Sequence, residues 1–383
     1  MSTKGKRFLF IDLFRGLAII KMIEGHVFRA LLFPTSPFLK SSFVNFIDGL
    51  TGPIFLFISG VSFSIVLRRH KEDFLKLNKK FFTRIQRIIF IIFVGYWLHL
   101  PFFSLRKTLS SNVDIMREFL KADILQCIGV SLLLLQFLFL IFRKESLFNW
   151  VVLTLSILIL FSTPFVLNYD FPIFPLGIES YFKQFPISEG YLSPYPIFHW
   201  SAYLLFGYLT ASVFFSLNEK NKGKLFLIAL AIFGITLYFV GSKTGNLFAS
   251  IYGNSFNFWY GSPNIFFMRL GPIFIIFSFL YFLEKAFIPI AGPIKTLGIE
   301  SLHAYWLHLV ILFGSVIRFP TLIKIFPKLS FLNTSLVFLG LTTFVYLTSY
   351  LWNKLKEKSP LLSKIVLRGS VAIFLIIFAI RKY

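Results

Sequence analysis

Long apolar runs separated by short polar segments recur along the whole chain. Each run has about 20 residues, enough to cross roughly 30 Å of hydrocarbon as a helix. The runs are continuously apolar rather than alternating, which favours membrane helices over barrel strands. The pattern predicts an all-α polytopic integral membrane protein with about 10–11 transmembrane helices in a single domain, residues 1–383. The predicted spans are 11–33, 48–67, 85–104, 122–142, 148–167, 197–215, 225–241, 264–283, 298–316, 331–352 and 366–381.

The distribution of basic residues predicts the orientation of these helices. The start of the chain, MSTKGKR, and residues 68–87 are rich in Lys and Arg, whereas the loops predicted at 168–196 and 242–263 contain one lysine each. Because Lys and Arg concentrate in cytoplasmic loops, the N-terminus is predicted to be cytoplasmic. The first helix is interrupted by charge and lacks a small-residue cleavage site, so it is expected to remain as an uncleaved anchor.

The composition excludes an ordinary soluble protein. Hydrophobic residues make up 56% of the sequence, charged residues 14%, and the mean hydropathy is +0.77; soluble domains have about 25% charged residues. A net charge of +23 would suggest nucleic acid in a soluble protein. Here the basic residues lie in loops between apolar runs, so they are interpreted as topological signals and no nucleic-acid partner is expected. The expected localisation is the bacterial inner (cytoplasmic) membrane, with multiple passes through the lipid bilayer.

Metal sites and disulfides have no signature in this sequence. The single cysteine, Cys127, excludes an intrachain disulfide framework and a cysteine metal site. The sequence has no dense cluster of Cys, His and carboxylate residues, so no metal is expected. A Walker loop and a dinucleotide fingerprint are also absent from the sequence.

The first helix is unusually charged for a membrane span. Each ionisable group in a bilayer costs roughly 2.5–3.5 kcal/mol on insertion scales. Asp12, Arg15 and His26 share one helical face, within a sector of about 80°. Asp12 and Arg15 are interpreted as a neutralising pair, and Lys21 and Glu24, on other faces, are close enough to pair. His26 lies about 16 Å beyond Arg15 along the axis, and its ring can exchange a proton near neutral pH.

The first helix resembles that of a known group of enzymes. RFLFIDLFRGLAIIKMIEGH (residues 7–26) is similar to the first helix of the membrane acyltransferase superfamily. That superfamily includes bacterial acyltransferase-three-type O-acetylases and the heparan-α-glucosaminide N-acetyltransferase family. The O-acetylases carry an Arg, ten intervening residues and a His, matched here by Arg15 and His26. Their Arg-x-x-Arg motif is matched by Arg84 and Arg87 in TRIQR.

Other segments resemble the heparan-α-glucosaminide N-acetyltransferase side. They are DGLTGPIFLFISGVS (48–62), KADILQCIGVSLL (121–133), IFHWSAYLLFGY (197–208) and LGIESLHAYWLHLVIL (297–312). One departure concerns the heparan enzyme, whose catalytic His lies in the loop after helix one. The corresponding loop here, residues 31–43, has no His. The heparan substrate is therefore not carried over, and His26 follows the O-acetylase pattern.

The resemblance implies a reaction and a set of roles. Acyl-CoA, by analogy acetyl-CoA, would donate its acyl group from the cytoplasm to an acceptor on the outer side, usually a glycan. Arg84 and Arg87 would bind CoA phosphates, with ordinary flanking charge as the alternative, and Arg15 would help to anchor the donor. His26 would be the catalytic base, and direct transfer and an acyl-histidine both remain open.

Four further residues are candidates for the site. Asp48 opens the second helix and either assists catalysis, by orienting an imidazole or binding acceptor hydroxyls, or is simply exposed. Asp123 either binds substrate or complements a helix dipole. Tyr305 and His308 lie within about 60° on one helical face and are predicted to line the substrate pocket. His70, His99 and His199 are interpreted as interfacial or loop residues.

Two rival functions remain open. A secondary transporter, or a lipid-linked sugar flippase without acyl transfer, would also use buried Arg, His and Asp. No internal repeat is evident, although transporters commonly have them. The aromatic loops 168–196 and 242–263 form either an interfacial belt or a platform on which a sugar stacks. The acceptor, hydroxyl or amine, the acyl length and the oligomeric state are not predicted.

Overall fold

The computed structural model describes residues 8–169, 175–183, 194–314 and 320–382 of the 383-residue chain. Regular structure in these residues is helical, apart from one isolated β-bridge. The α-helices are, in chain order, α1 (Leu9–Leu31), α2 (Pro37–Lys40), α3 (Ser42–Asp48), α4 (Thr51–Arg69), α5 (Lys71–Leu75), α6 (Lys79–Leu98), α7 (Leu105–Leu109), α8 (Val113–Leu120), α9 (Ile124–Phe142), α10 (Glu145–Leu167), α11 (Leu176–Glu179), α12 (Ile197–Glu219), α13 (Gly223–Lys243), α14 (Gly245–Tyr252), α15 (Pro263–Phe282), α16 (Ala291–Ile299), α17 (Ser301–Phe313), α18 (Leu322–Ile325), α19 (Phe331–Lys358) and α20 (Pro360–Ile380).

The predicted class, an all-α polytopic membrane protein, is confirmed. Within the described residues, nine helices are long and apolar enough to cross a membrane. They are Ser42–Arg69, which joins α3 and α4, and α6, α9, α10, α12, α13, α15, α19 and α20. A tenth candidate is broken. Ile288–Ile299 and Ser301–Phe313 are long and apolar enough to cross a membrane when taken together, but they bend by 78° at the break.

Helix α1 is the remaining predicted span, and it is continuous from Leu9 to Leu31. Its 23 residues extend about 35 Å at 1.5 Å per residue, enough to cross a bilayer. Its five charged side chains set it apart from the nine apolar helices. The structure thus contains a helix where each of the eleven spans was predicted, with one of them bent.

Several helix ends follow from local sequence. The carboxylate of Asp123 accepts a hydrogen bond of 2.6 Å from the N–H of Ile124 at the start of α9. Ser330 caps α19 by accepting from the N–H of Asn333 at 3.3 Å. These side chains satisfy N–H groups that lack an intrahelical partner. Pro360 occupies the first position of α20, where its missing N–H has no helical partner to lose.

The described residues form two compact units. Unit 1 contains Gly52–Tyr96 and Leu120–Phe282, and unit 2 contains Phe8–Thr51, Trp97–Phe119 and Leu283–Tyr383. Each unit has its own packed interior, described separately below.

Aromatic side chains fill much of the interior of unit 1. Phe74, Phe139 and Phe148 are fully buried. Phe74 packs edge-to-face on Phe63 at 5.4 Å, and Phe139 packs on Phe148 at 5.1 Å between ring centroids. Such pairs contribute about 0.5–1.5 kcal/mol beyond the area that they bury. This packing explains part of the high phenylalanine content.

In unit 2, helix α1 packs against α16, α17 and α19. The closest approach is between α1 and α16, where a Cβ built on Gly16 would lie 2.0 Å from the carbonyl oxygen of Ile294. A Cβ built on Gly298 would lie 2.1 Å from the carbonyl oxygen of Asp12. Glycine at these positions lets the two backbones touch, which is how many membrane helices associate.

Gly298→Ala is therefore expected to destabilise unit 2. The added methyl must push two backbones apart, and overpacking typically costs about 1–3 kcal/mol. Gly292→Ala is the matched control, because it lies on the same helix and a Cβ there meets nothing within 4 Å. Thermal unfolding of the purified protein should show a lower Tm for Gly298→Ala and little change for Gly292→Ala. Equal Tm values for both variants would contradict the proposed backbone contact.

Candidate active site

Two histidines that are far apart in sequence meet inside unit 2. Nδ1 of His26 on α1 lies 2.8 Å from Nε2 of His308 on α17. The two rings are stacked, with centroids 5.1 Å apart and planes inclined by 16°. His308 is fully buried, and His26 is half-buried. The structure thus brings the predicted base into hydrogen-bond contact with a residue predicted only to line the pocket.

The hydrogen bonds assign the tautomers of this pair. Nδ1 of His308 lies 2.8 Å from the carbonyl oxygen of Ala304. Because a carbonyl can only accept, this nitrogen must carry the proton and donate. In neutral His308, Nε2 then has a lone pair and accepts the hydrogen bond from Nδ1–H of His26. The lone pair of neutral His26 is therefore on Nε2, which is the atom able to take up a proton.

Aromatic rings surround the histidine pair. The ring of Tyr305 is perpendicular to that of His308, with centroids 6.0 Å apart. The ring of Phe313 lies 6.4 Å from that of His26 in a T-shaped arrangement. Tyr305 is buried. Of the two residues predicted to line a pocket, His308 therefore contacts His26 directly, and Tyr305 contacts His308. Packing of this kind restricts the rotamers of the two imidazoles.

Asp48, at the end of α3, forms a cluster of charges with α1. Its carboxylate lies 2.6 Å from Nζ of Lys21 and 2.6 Å from Nη2 of Arg29. Lys21 also pairs with Glu24, so that predicted pair is confirmed. Arg29 additionally donates to the side-chain oxygen of Asn45 at 2.9 Å. The cluster joins α3 to the turns of α1 that lie on either side of His26.

Arg15 lies where α1 crosses α16. Its Nη1 donates a hydrogen bond of 3.4 Å to the carbonyl oxygen of Gly298. Asp12 is buried at the same crossing, with 6% of its surface exposed. One turn further, at the break between α16 and α17, the buried Glu300 pairs with Lys356 of α19. Arg15, His26, Asp48, Tyr305 and His308 thus all belong to unit 2.

The other three predicted residues belong to unit 1. The guanidinium of Arg84 lies 3.4 Å above the ring of Phe74, and its Nη1 donates to the side-chain oxygen of Gln136 at 3.4 Å. Arg87, one turn later on α6, is exposed. Asp123 caps α9. The two arginines therefore differ: Arg84 makes packing contacts, whereas Arg87 faces outward and is available to an anion.

The residues present fit an acyl-CoA donor in their chemistry. The exposed Lys79 and Lys80 precede Arg84 and Arg87 on α6. Guanidinium and ammonium groups are the usual partners of phosphate, and CoA carries several phosphate charges. No group of three or more His, Cys, Asp or Glu residues in the described part of the chain is arranged to hold a metal ion.

The sequence matches the family model of the heparan-alpha-glucosaminide N-acetyltransferase catalytic region over residues 7–252. The chain belongs to this family. The resemblance predicted from the motifs is thus confirmed, and the family is one of membrane acetyltransferases. No curated protein matches the chain.

The matched stretch of the heparan-alpha-glucosaminide N-acetyltransferase family covers only part of the site. Tyr305 and His308 lie beyond residue 252, so the contact of His308 with His26 and that of Tyr305 with His308 rest on the tertiary structure. The other predicted site residues, Arg15, His26, Asp48, Arg84, Arg87 and Asp123, lie inside the match.

Sequence reasoning missed two features of the site. It gave no indication that Arg29 would share the carboxylate of Asp48 with Lys21. It also treated His26 and His308 as separate residues, although the polar position of His308 within an apolar run was the available signal. Pairing between them required knowledge of which helices are neighbours.

Proposed function

We propose that this protein is an integral membrane acyltransferase. It would move an acyl group, in the first instance acetyl, from cytoplasmic acyl-CoA to a hydroxyl or amine acceptor, such as a glycan, on the outer side. The observation that carries the proposal is the hydrogen-bonded pair of His26 and His308 in a member of an acetyltransferase family. We also propose that residues 1–383 act as a single acyltransferase domain.

In the proposed reaction, Nε2 of His26 takes the proton of the acceptor O–H or N–H. The acceptor oxygen or nitrogen then forms a bond to the thioester carbonyl carbon, and the carbon–sulfur bond breaks. The CoA sulfur leaves with the electron pair of that bond and takes up the proton from the His26 imidazolium, which returns His26 to its neutral form. Because Nδ1–H of His26 is held by His308, the lone pair stays on Nε2 and the imidazolium formed in the step keeps a hydrogen-bond acceptor.

The donor would be held by Arg87, with Arg15 as a further anchor and Arg84 in a supporting role. Arg87→Gln is expected to raise the KM for acyl-CoA on the order of tenfold, because one charge-assisted hydrogen bond to phosphate is lost. Arg87→Lys should also be impaired, since an ammonium cannot copy a bidentate fork. Steady-state kinetics with varied acyl-CoA measures both effects.

Arg84→Gln should behave differently. It removes the guanidinium from the ring of Phe74 and is expected to lower the free energy of unfolding by about 0.5–2 kcal/mol. Arg143→Gln is the control, because Arg143 is exposed at the end of α9. An unchanged KM in Arg87→Gln would leave this arginine with a flanking role only.

We also propose that the N-terminus is cytoplasmic in the cell inner membrane. A reporter inserted after Asn78, between α5 and α6, is expected to be cytoplasmic, and one inserted after Asn254 to be external. The reason is that basic residues concentrate between 68 and 87 and are scarce between 242 and 263. Alkaline phosphatase and fluorescent-protein fusions measure the two locations, and the opposite pattern would put Arg87 on the wrong side for CoA.

The decisive test of the function is acyl transfer itself. The purified chain in proteoliposomes should move radiolabelled acetyl from acetyl-CoA to membrane glycans. Label should appear in the glycan only when CoA is supplied on the side that carries Arg87. Absence of transfer to glycan, hydroxyl and amine acceptors alike would refute the proposal.

A second candidate function has one specific observation in its favour. The candidate span formed by Ile288–Ile299 and Ser301–Phe313 is bent by 78° at its break. At the break, the buried Glu300 pairs with Lys356, whose side chain is partly exposed. Secondary transporters often bind solutes at discontinuous helices. Solute uptake, or flipping of a lipid-linked sugar, by proteoliposomes without acyl-CoA would favour a transporter or flippase over the enzyme.

A further inference from the structure

Unit 1 contains a cavity of about 240 Å³, and none of the predicted site residues lines it. Four aromatic side chains contribute to its wall: Tyr195, Trp200, Trp259 and Tyr260. Two of them, Trp259 and Tyr260, come from the loop after α14, one of the two aromatic loops noted in the sequence. The rings of Tyr195 and Trp200 are in contact, with centroids 4.5 Å apart.

His199 lines this cavity in a strained conformation. Its φ is +73° and its ψ −54°, a γ-turn geometry that is rare for any residue other than glycine. Only 2% of its surface is exposed, so its side chain is buried near the start of α12. Neither ring nitrogen has a hydrogen-bond partner among the described residues. Buried polar groups are almost always hydrogen-bonded, so we expect these nitrogens to form hydrogen bonds with a ligand or with water.

Aromatic neighbours hold the imidazole of His199 in place. The ring is nearly perpendicular to those of Trp200, Tyr203 and Phe266, at centroid distances of 5.4, 5.5 and 5.7 Å. Strained backbone geometry persists only where the surrounding structure imposes it, and it clusters at functional sites. The packing around His199 thus keeps a costly geometry that presents an unpaired imidazole to the cavity.

Arg269 adds a positive charge to the same wall. It lies six residues after Pro263 on α15, about 9 Å into the helix at 1.5 Å per residue. Its guanidinium is 5.5 Å from the ring of Trp200, and it forms no ion pair within the described part of the chain. Charged side chains in membrane helices are normally paired and often mark substrate sites. An anionic ligand would complement this positive charge.

Tyr195 supplies a hydrogen-bonding group beside this charge. Burial raises the pKa of the Tyr195 phenol, the charge of Asp123 raises it further, and Arg269 acts in the opposite direction. The hydroxyl therefore remains protonated and can donate. The ring packs on the backbone at Gly52, where an added Cβ would lie 2.6 Å from it. Asp123, predicted to bind substrate, caps α9 and is not among the residues that line this cavity.

We propose that this cavity binds a single acidic sugar unit, a pyranose that carries a carboxylate or phosphate. The apolar face of the sugar would stack on Trp200 or Trp259, as carbon-bound hydrogens do on aromatic faces. Its anionic group would pair with Arg269, and its hydroxyls would bond to His199 and Tyr195. Ligand pockets usually have roughly 300–1,000 Å³, so this one suits one ring and is too small for acyl-CoA.

Equilibrium dialysis of the purified full chain with radiolabelled sugars tests the proposal without any acyl transfer. Glucuronate and glucose 6-phosphate should bind on the order of tenfold or more tighter than glucose, the size expected for one charge-assisted hydrogen bond. Arg269→Gln should remove this difference. Trp259→Leu should weaken binding of all three sugars, whereas Trp150→Leu, which changes an exposed tryptophan outside the cavity, should leave binding unchanged.

His199→Gly tests the contribution of the imidazole. Glycine adopts a φ of +73° without strain, although loss of the buried ring leaves a cavity, so binding is compared at equal amounts of folded protein, and the affinity for glucuronate should fall. Equal affinity for acidic and neutral sugars, or unchanged selectivity in Arg269→Gln, would overturn the proposal. Inorganic phosphate that binds as tightly as glucose 6-phosphate would overturn it too. Arg269-dependent binding of phosphatidylglycerol vesicles, with no sugar bound, would overturn the proposal and assign the cavity to a lipid headgroup instead.

Discussion

The His26→Ala protein is expected to lose acyl transfer by at least the order of 10²–10⁴-fold, the usual contribution of a general base. His26→Gln should fare no better, because an amide can keep a hydrogen bond to His308 but cannot take up a proton. The measurement is turnover by the purified, folded variant at saturating acyl-CoA. Because the change lies at the proposed transfer site, the KM for acyl-CoA should change little.

His70→Ala is the control for this experiment. His70 is an exposed histidine beside Asp73, before the start of α6, and its loss should leave turnover unchanged. A proper comparison needs equal amounts of folded protein, measured by thermal unfolding. Near-normal turnover of folded His26→Ala would make His26 a structural histidine, and His308 would become the next candidate base.

His308→Ala should lower kcat on the order of 10–100-fold, by analogy with the loss of residues that orient metal-binding imidazoles. On our proposal His308 is a positioning residue, because it acts through Nδ1–H of His26. A structural role alone would lower the amount of folded protein without changing the pH profile of kcat. We therefore expect the acid limb of that profile to move in His308→Ala and the KM for acyl-CoA to stay constant.

His308→Gln provides the test of rescue. A glutamine side-chain oxygen can accept a hydrogen bond from His26, so part of the lost kcat should return. His303→Gln is the matched control on the same helix, since the ring of His303 stacks on Trp352, 6.2 Å away, rather than on His26. Wild-type kinetics in His308→Ala would show that the contact between the two histidines has no part in the reaction.

The family and most of the spans could be predicted because both depend on local sequence. Twenty apolar residues in a row must form a helix in lipid, since every backbone N–H and C=O needs a partner. The charged run from Asp12 to Arg29 and the Arg15–His26 spacing were likewise visible without any structure. The break between Ile299 and Ser301 was not, because the single charge of Glu300 at that point does not by itself distinguish a bent span from a straight one.

The sequence by itself determined that this is a helical membrane protein of an acyltransferase family and that His26 is a residue of interest. Only the tertiary structure decided the partners: His308 for His26, Lys21 and Arg29 for Asp48, and Phe74 for Arg84. Only the tertiary structure, likewise, placed His199 and Arg269 in the wall of one cavity. Periodicity places a side chain on one face of its own helix, whereas its neighbour depends on which helices cross and where glycines such as Gly16 and Gly298 let them touch.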